Sequence, residues 1–366
     1  MRKIQVDSLV PGMRLAKQVL GTNSEVYLNA GVILTSRYIR KLRELGFACV
    51  YVYDAFLEDV QVPEVQDVVH EETRRSAIGQ LRKLLIDTEA SRDKAIAPPK
   101  ELTQTVYEMV DQIVENPSRM INLSDIRAQD EYLYHHSVNV CVLALTAGAE
   151  IGLTRRQLFE LGVGALLHDV GKMRIPTQIL NKPGRLTKEE FEIIKQHPIW
   201  AKHLLRDNPT GASIAAMHHE RINGEGYPYG LKLGEISTYA QITGLADVFD
   251  ALTADRCYRK AHPPHEALEL LMATGDYWFE FNIVNSFLAI VAAYPIGTLV
   301  ELNSREIGVV VETPKGFPTL PTVRVFVTAE EGWLPVPYDL STLENCRFVV
   351  RVLEDEELAF IKKRFF

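Results

Sequence analysis

The histidines constrain this chain more than any other residue type. Seven of its ten, His135, His136, His168, His197, His203, His218 and His219, fall between residues 135 and 219 of a 366-residue sequence, where even spacing would leave about two. Any one of them alone reads as an ordinary core or surface histidine. The set does not, because its members stand beside other ligand-type residues: His168 precedes Asp169, and His218 and His219 are adjacent.

Composition bounds the rest. The hydrophobic fraction is 46% and the charged fraction 24%, as in ordinary globular proteins. That excludes a mainly disordered chain, a collagen-like fibre and a small disulfide scaffold. Length predicts roughly two or three domains. A net charge of −8 argues against duplex nucleic acid as a partner while leaving room for a local phosphate pocket. The four cysteines, Cys49, Cys141, Cys257 and Cys346, form no CxxC pair, which fits a reducing compartment and no thiolate zinc site. The start MRKIQVDSLVPGMRL lacks a signal-peptide core. The apolar stretches near Val138–Ala149 and Phe287–Ala293 are too short to span a bilayer. A cytoplasmic protein that does not span a membrane is the expectation.

Residues 1–60 read as a small α+β domain, with turns at Val10–Met13 and Asn29–Gly31, a helix from Thr35 or Ser36 through Leu45, and a strand over Phe47–Val52. Residues 61–118 read as a helical linker, interrupted at Pro98-Pro99, with a homodimer-forming helix pair as the sharper alternative. Residues 119–293 form a long helical block, its apolar period near 3.6 clearest at Leu158–Leu167 and Glu266–Met272. After Pro295-Ile296-Gly297, strands over Thr298–Glu301, Gly308–Glu312 and Thr322–Thr328 mark residues 294–366 as a small β-rich domain.

The candidate chemistry lies in the helical block. His168-Asp169 ends an apolar run and so projects from a buried helix, where a carboxylate beside an imidazole needs a compensating cation. Lys172 falls on the same helical face. His218 and His219 point about 100° apart on a helix but can converge if the helix ends there. His197 precedes Pro198, a helix boundary. Asp247 and Asp250 stand three apart in an apolar stretch, where a buried aspartate is usually paired or metal-bound. Imidazole and carboxylate without thiolate suit iron, manganese, cobalt, nickel or zinc in open sites. Two such ions are common machinery for phosphate-ester hydrolysis. Asn223–Gly230, a Gly-rich segment with Tyr227 and Tyr229, reads as a surface turn on its own and as a ligand-approaching loop in this company. Arg256 and Arg259 follow Asp247 on what reads as one continuing helix, spaced to clamp phosphates.

These elements together resemble the HD-GYP family, a branch of the HD phosphohydrolases. The resemblance runs from about Tyr132 to Phe287. It is carried by Tyr132–Ser137, His168-Asp169-Val170-Gly171-Lys172, His197-Pro198, His218-His219-Glu220-Arg221, Gly226-Tyr227-Pro228, Asp247–Thr253, and Arg256, Tyr258 and Arg259. It implies an HD-type all-α bundle and hydrolysis of cyclic di-GMP to pGpG, with onward cleavage to GMP, by a hydroxide bridging two divalent metals. His136, His168, Asp169 and Asp247 would hold one ion. Asp169, His197, His218 and His219 would hold the other, with Asp169 bridging; iron or manganese is the first expectation. Asp169 and Lys172 are the catalytic residues it implies, and Lys172, Tyr227, Arg256 and Arg259 the substrate-binding ones. Spacing alone does not choose between His135 and His136; the family's register selects His136, and His203 has no counterpart. Some members carry a third-metal glutamate where this chain has Tyr132, and Glu131 is one residue early, so two metals are expected. Asn223 stands where members commonly have aspartate. The rival readings are a hydrolase of another nucleotide or cyclic dinucleotide, and a receptor that binds cyclic di-GMP without cleaving it.

Overall fold

In the computed structural model, which describes residues 2–20, 26–47, 49–53, 62–63, 67–90, 94–117, 120–121, 132–182, 184–254, 261–328, 332–353 and 357, the chain opens with strands β1 (Arg2–Gln5), β2 (Arg14–Leu15), β3 (Val19–Leu20) and β4 (Val26–Leu28), helix α1 (Ser36–Glu44) and strand β5 (Cys49–Tyr53). Helices follow: α2 (Glu71–Ala90), α3 (Lys100–Glu115), α4 (Tyr132–Ile151) and α5 (Arg155–Leu166), a 3₁₀ turn over Val170–Arg174, then α6 (Thr177–Leu180), α7 (Lys188–Ile194), α8 (His197–Leu204), α9 (Pro209–Met217), α10 (Thr238–Thr253), α11 (Pro264–Met272) and α12 (Phe281–Leu288). Strands β6 (Leu299–Leu302), β7 (Ile307–Glu312), β8 (Thr322–Thr328), β9 (Gly332–Ser341) and β10 (Val349–Val352) close it. Two compact units result, residues 67–119 with 132–290, and residues 1–66 with 120–131 and 291–366.

The helical unit is organised around α4. From His136 to Gly148 every residue is buried, so this part of the helix has no solvent face and takes a central place. It packs on α5 and α10, while α9 packs on α5 and α8. Helix α5 starts at a capping box in which the Thr154 hydroxyl accepts from Gln157 N and the Gln157 side chain accepts from Thr154 N, satisfying two otherwise unpaired end groups. Helices α2 and α3 pack on each other and on α4, and belong to this unit. The apolar face of α3, Leu102, Val106, Met109, Val110 and Ile113, is buried at the spacing an amphipathic helix gives. Among the described residues no helix is long and apolar enough to cross a membrane.

The other unit contains a three-stranded antiparallel sheet in the order β1-β5-β2 with α1, whose Thr35 cap accepts from Tyr38 N. Ile4, Leu15, Leu34, Ile39, Leu42, Val50 and Val52 form its core. It also contains a five-stranded antiparallel sheet in the order β10-β6-β7-β8-β9. The sequence predicted three of these strands and missed β9 and β10, the two at the sheet's margins. Strand β9 carries Pro335 and Pro337, and proline is tolerated on an edge strand where its missing N–H faces away from the ladder.

Candidate metal centre

Three helix ends and two helix faces converge here. Helix α5 stops at Leu166, with Leu167 as its cap. His168 and Asp169 therefore stand in the turn before the 3₁₀ segment, and not on the buried helix the sequence predicted. A Cβ at Gly171 would lie 1.9 Å from the His197 carbonyl oxygen, so only glycine lets this turn seat on the start of α8. In a 3₁₀ turn, residues three apart align, which brings Lys172 Nζ to donate to Asp169 Oδ2. Helix α8 begins at His197 with Pro198 in its first turn, and α9 ends at Met217 with His218 as its cap. The adjacent histidines leave the helix together, ring centroids 4.0 Å apart. Helix α4 contributes His136, and α10 contributes Asp247.

These side chains form two groups of convergent donor atoms, Asp169 with His197, His218 and His219, and His136 with His168 and Asp247, the atoms of each group lying within 4.8 Å of one another. Asp169 turns one oxygen to each. Its Oδ2 is 3.5 Å from His136 Nε2 and 3.3 Å from His168 Nε2, and its Oδ1 is 3.3 Å from His197 Nε2 and 3.8 Å from His218 Nε2. Asp247 Oδ1 is 3.1 Å from His136 Nε2, and Oδ2 is 3.7 Å from His219 Nδ1.

The outer ring nitrogens fix what the inner ones offer. Nδ1 of His168, His197 and His218 donates to the carbonyls of Ala165, Ile194 and Ala215 at 2.7, 2.7 and 2.9 Å. His136 Nδ1 donates to Asp250 Oδ2 at 2.7 Å. Each Nε2 is thus the ring nitrogen turned inward, as in metal-binding histidines. Burial, then the neighbouring imidazoles, holds His218 and His219 well below the ordinary imidazole range, so both are neutral. Burial works to raise Asp169, but Lys172 and the imidazoles of His168 and His136 outweigh it and keep the carboxyl well below its usual range. Asp247 behaves likewise through His136, His219 and His168.

The donor set fits divalent metal. Among the described residues His168 Nε2 and Asp169 Oδ1 are buried without a hydrogen-bond partner, which is costly unless a cation satisfies them. His197 Nε2 and His218 Nε2 approach to 3.4 Å, so both inner nitrogens face the same point beside Asp169 Oδ1. Imidazole and carboxylate donors without thiolate suit transition metals.

A loop frames the site. Glu220 is buried, and its carboxylate accepts from Tyr229 N at 2.6 Å and Leu231 N at 3.0 Å. Tyr227 N donates to the His219 carbonyl at 3.2 Å, and its ring stacks on His219 at 4.6 Å and 24°. Burial, then the charges of Asp247 and Asp169, pushes the Tyr227 phenol upward, so its hydroxyl remains a donor. Arg221 lies over the rings of Trp278 and Phe279 and donates to the Glu220 carbonyl at 2.9 Å.

All seven candidate ligands lie in the two groups, Lys172 contacts Asp169, and Tyr227 contacts His219. His135 is in neither group, and His203 is exposed. Tyr132 opens α4; Glu131 lies outside the described residues. Arg256 and Arg259 also lie outside them. Helix α10 ends at Thr253 with Ala254 extended, so the continuous helix from Asp247 to Arg259 does not form. Sequence reasoning missed Asn139 and the clamp made by Glu220, and it noticed Asp250 only as a second acid beside Asp247.

Fold and site together define a helical unit built around an imidazole–carboxylate cluster that fits divalent metal. Residues 109–283 match the family model described as HD domain, and residues 299–361 match a KOW domain associated with HD domain. A curated cyclic di-GMP phosphodiesterase of Pseudomonas aeruginosa is 36% identical over 242 residues, 65% of this chain and 58% of that protein. A Thermotoga maritima protein of the same activity is 34% identical over 220 residues, 59% of this chain and 56% of its own length. A 3′3′-cGAMP-specific phosphodiesterase of Vibrio cholerae is 36% identical over 149 residues, 40% of this chain and 32% of its own. The chain thus spans well under two thirds of the length of each of these three relatives. Over residues 109–283 the chain is thus similar to HD domain proteins.

Proposed function

We propose that this chain is a metal-dependent phosphodiesterase that hydrolyses cyclic di-GMP to pGpG and onward to GMP. The observation that carries the reading is one buried carboxylate, Asp169, turning its two oxygens to two groups of inward-facing imidazoles. His136, His168, Asp169 and Asp247 would hold one divalent ion, and Asp169, His197, His218 and His219 the other, iron or manganese before cobalt, nickel or zinc. Two such ions supply an acidified water at neutral pH and positive charge for the oxygens of a phosphodiester. Lys172 holds Asp169 Oδ2 and sets an ammonium beside the centre for a phosphate oxygen. Tyr227, fixed on His219, offers its hydroxyl to substrate. Arg256 and Arg259 are assigned to the far phosphate or a guanine edge. In this reading residues 119–293 carry catalysis, residues 1–60 and 294–366 flank it, and residues 61–118 are the helical segment through which a homodimer forms. The setting is cytoplasmic.

The relatives specific for 3′3′-cGAMP favour a second reading, another cyclic dinucleotide as substrate. Metal-loaded protein should be offered cyclic di-GMP and 3′3′-cGAMP, with products resolved by chromatography and metal measured on the same sample. Preferred cleavage of cyclic di-GMP is expected. Protein holding two metals that cleaves neither is a receptor, and the proposal fails.

A further inference from the structure

Arg74 lies on α2, outside residues 109–283 that match the HD domain. Its guanidinium nevertheless connects to the metal centre through two buried side chains. Nη2 donates to Asp67 Oδ1 at 3.1 Å, and Nη1 donates to Asn139 Oδ1 at 3.1 Å. Asn139 Nδ2 donates to Asp250 Oδ1 at 3.0 Å. The other oxygen of Asp250 accepts from His136 Nδ1 at 2.7 Å. Asn139, Asp250 and His136 are 4%, 0% and 1% exposed, so water does not replace these bonds.

The bonds run in one direction only. A guanidinium donates and cannot accept. Asn139 must therefore turn its oxygen to Arg74 and its amide nitrogen to Asp250. An ionised carboxylate accepts only, so His136 carries a proton on Nδ1 and turns its Nε2 to the centre, 3.1 Å from Asp247 Oδ1. The spacing supports this layering. His136 and Asn139 are three residues apart on α4, and Asp247 and Asp250 three apart on α10. Each pair puts one residue at the centre and one behind it.

His136 is set apart from the other buried ligands by this arrangement. His168, His197 and His218 bond the carbonyl three residues upstream, an anchor inside their own turns. His136 is oriented by a side-chain line that ends on a different helix. That helix is itself keyed at its start. His70 N donates to Gln112 Oε1 and Gln112 Nε2 donates to Thr73 Oγ1, each at 2.9 Å, which ties the start of α2 to α3.

We propose that Arg74 is a positioning residue for the metal centre. Through Asn139 and Asp250 it fixes the tautomer and direction of His136, so that the seating of α2 sets the metal affinity of the His136–His168–Asp247 group and leaves the other group alone. The inference rests on the reading of these groups as metal sites. Any displacement of α2, from the chain before it or from a partner bound to it, then weakens one ion of the pair selectively.

The test is a titration of chelator-treated, full-length protein with manganese alone, read by calorimetry. The parent is expected to bind two ions. Arg74→Ala should keep one at parental affinity and lose roughly 10- to 100-fold on the other, the usual effect of removing an outer partner of a ligand. Asn139→Leu cuts the line while leaving the Arg74–Asp67 pair in place, and should give the same loss even if Arg74→Ala folds poorly. The double variant should be no worse than either single one. Arg74→Lys should recover part of the affinity. Arg75→Ala, which removes a neighbouring charge paired with Glu71, should change nothing. A metal-free readout accompanies these. In ¹⁵N-histidine-labelled apoprotein the His136 Nδ1–H signal should be present in the parent and lost in Arg74→Ala and Asn139→Leu. Two manganese ions at parental affinity and an intact Nδ1–H signal in both variants would overturn the proposal. A parent that binds no manganese overturns the metal reading instead, and the Nδ1–H signal then decides the positioning role by itself.

Discussion

Gly171→Ala tests how the site is assembled without touching any proposed ligand. The added Cβ would stand 1.9 Å from the His197 carbonyl oxygen, 2.7 Å from Ala201 N and 2.9 Å from the His197 carbonyl carbon. All three are backbone atoms at the start of α8, so none can swing aside. Reaching an ordinary contact near 3.5 Å requires the 3₁₀ turn and the helix to part by about 1.5 Å. Asp169 Oδ1 and His197 Nε2 are now 3.3 Å apart, and a preorganised site tolerates errors of only about 0.5 Å. The strain should cost about 1–3 kcal/mol, within the 5–15 kcal/mol typical of a folded domain, roughly speaking. The variant should therefore fold, with a lower thermal midpoint. It should lose metal from the Asp169–His197–His218–His219 group and slow by about 100-fold or more, as a misplacement near 1 Å does. Metal analysis, a cyclic di-GMP turnover assay and a melting curve on one preparation check all three. A variant with the parent's metal content and rate would show that this seating has no part in the site.

Asp169→Ala removes the carboxylate that both groups share and should abolish turnover and lower bound metal; normal metal and activity, with a circular dichroism spectrum like the parent's, would sink the assignment. His136→Ala should lose metal and activity while His135→Ala keeps most of both, and the reverse would show the register to be wrong. Elemental analysis and anomalous diffraction should count two metals per chain, not three, because Tyr132 offers a phenol with an ordinary pKa of about 10 where a hard carboxylate would be needed. Arg256→Ala and Arg259→Ala should leave metal intact and weaken substrate binding by about 1.5–3 kcal/mol each, the range for a lost charge-assisted bond; unchanged binding and rate in both would make them a solvated face.

The histidine and aspartate ligands are legible in the sequence because each sits in a short contiguous pattern whose residue types already state the chemistry. What surrounds them is not. Asn139 looks like any helical asparagine until α10 brings Asp250 against it and α2 brings Arg74. Amphipathic periodicity predicts helices over residues 73–114 but does not say which surface they cover, since an apolar stripe fits a partner chain as well as the chain's own bundle. Local pattern also misplaces ends. Nothing between Ala254 and Arg259 is a helix breaker, so the sequence extends α10 too far. The apolar run through Leu167 likewise carries His168 and Asp169 onto a helix, although the packing of Gly171 against α8 places them in a turn.

The choice between His135 and His136 shows what the structure adds to such a pattern. Neighbouring helical residues point about 100° apart, so only one of the two can face α10. Resemblance selects His136, but gives no physical ground for it. The ground is Asp250, which with Asp247 forms an i, i+3 pair on α10 and meets the i, i+3 pair of His136 and Asn139 on α4. One aspartate binds the outer nitrogen of the ring and the other faces the inner nitrogen, at 2.7 and 3.1 Å. A histidine one position earlier would turn its ring away from both carboxylates. The two acids in Asp247–Asp250 are thus a single device with two roles, one at the centre and one behind it. Asp250→Asn, which leaves every proposed ligand in place, should therefore damage the His136 group almost as much as loss of His136 itself.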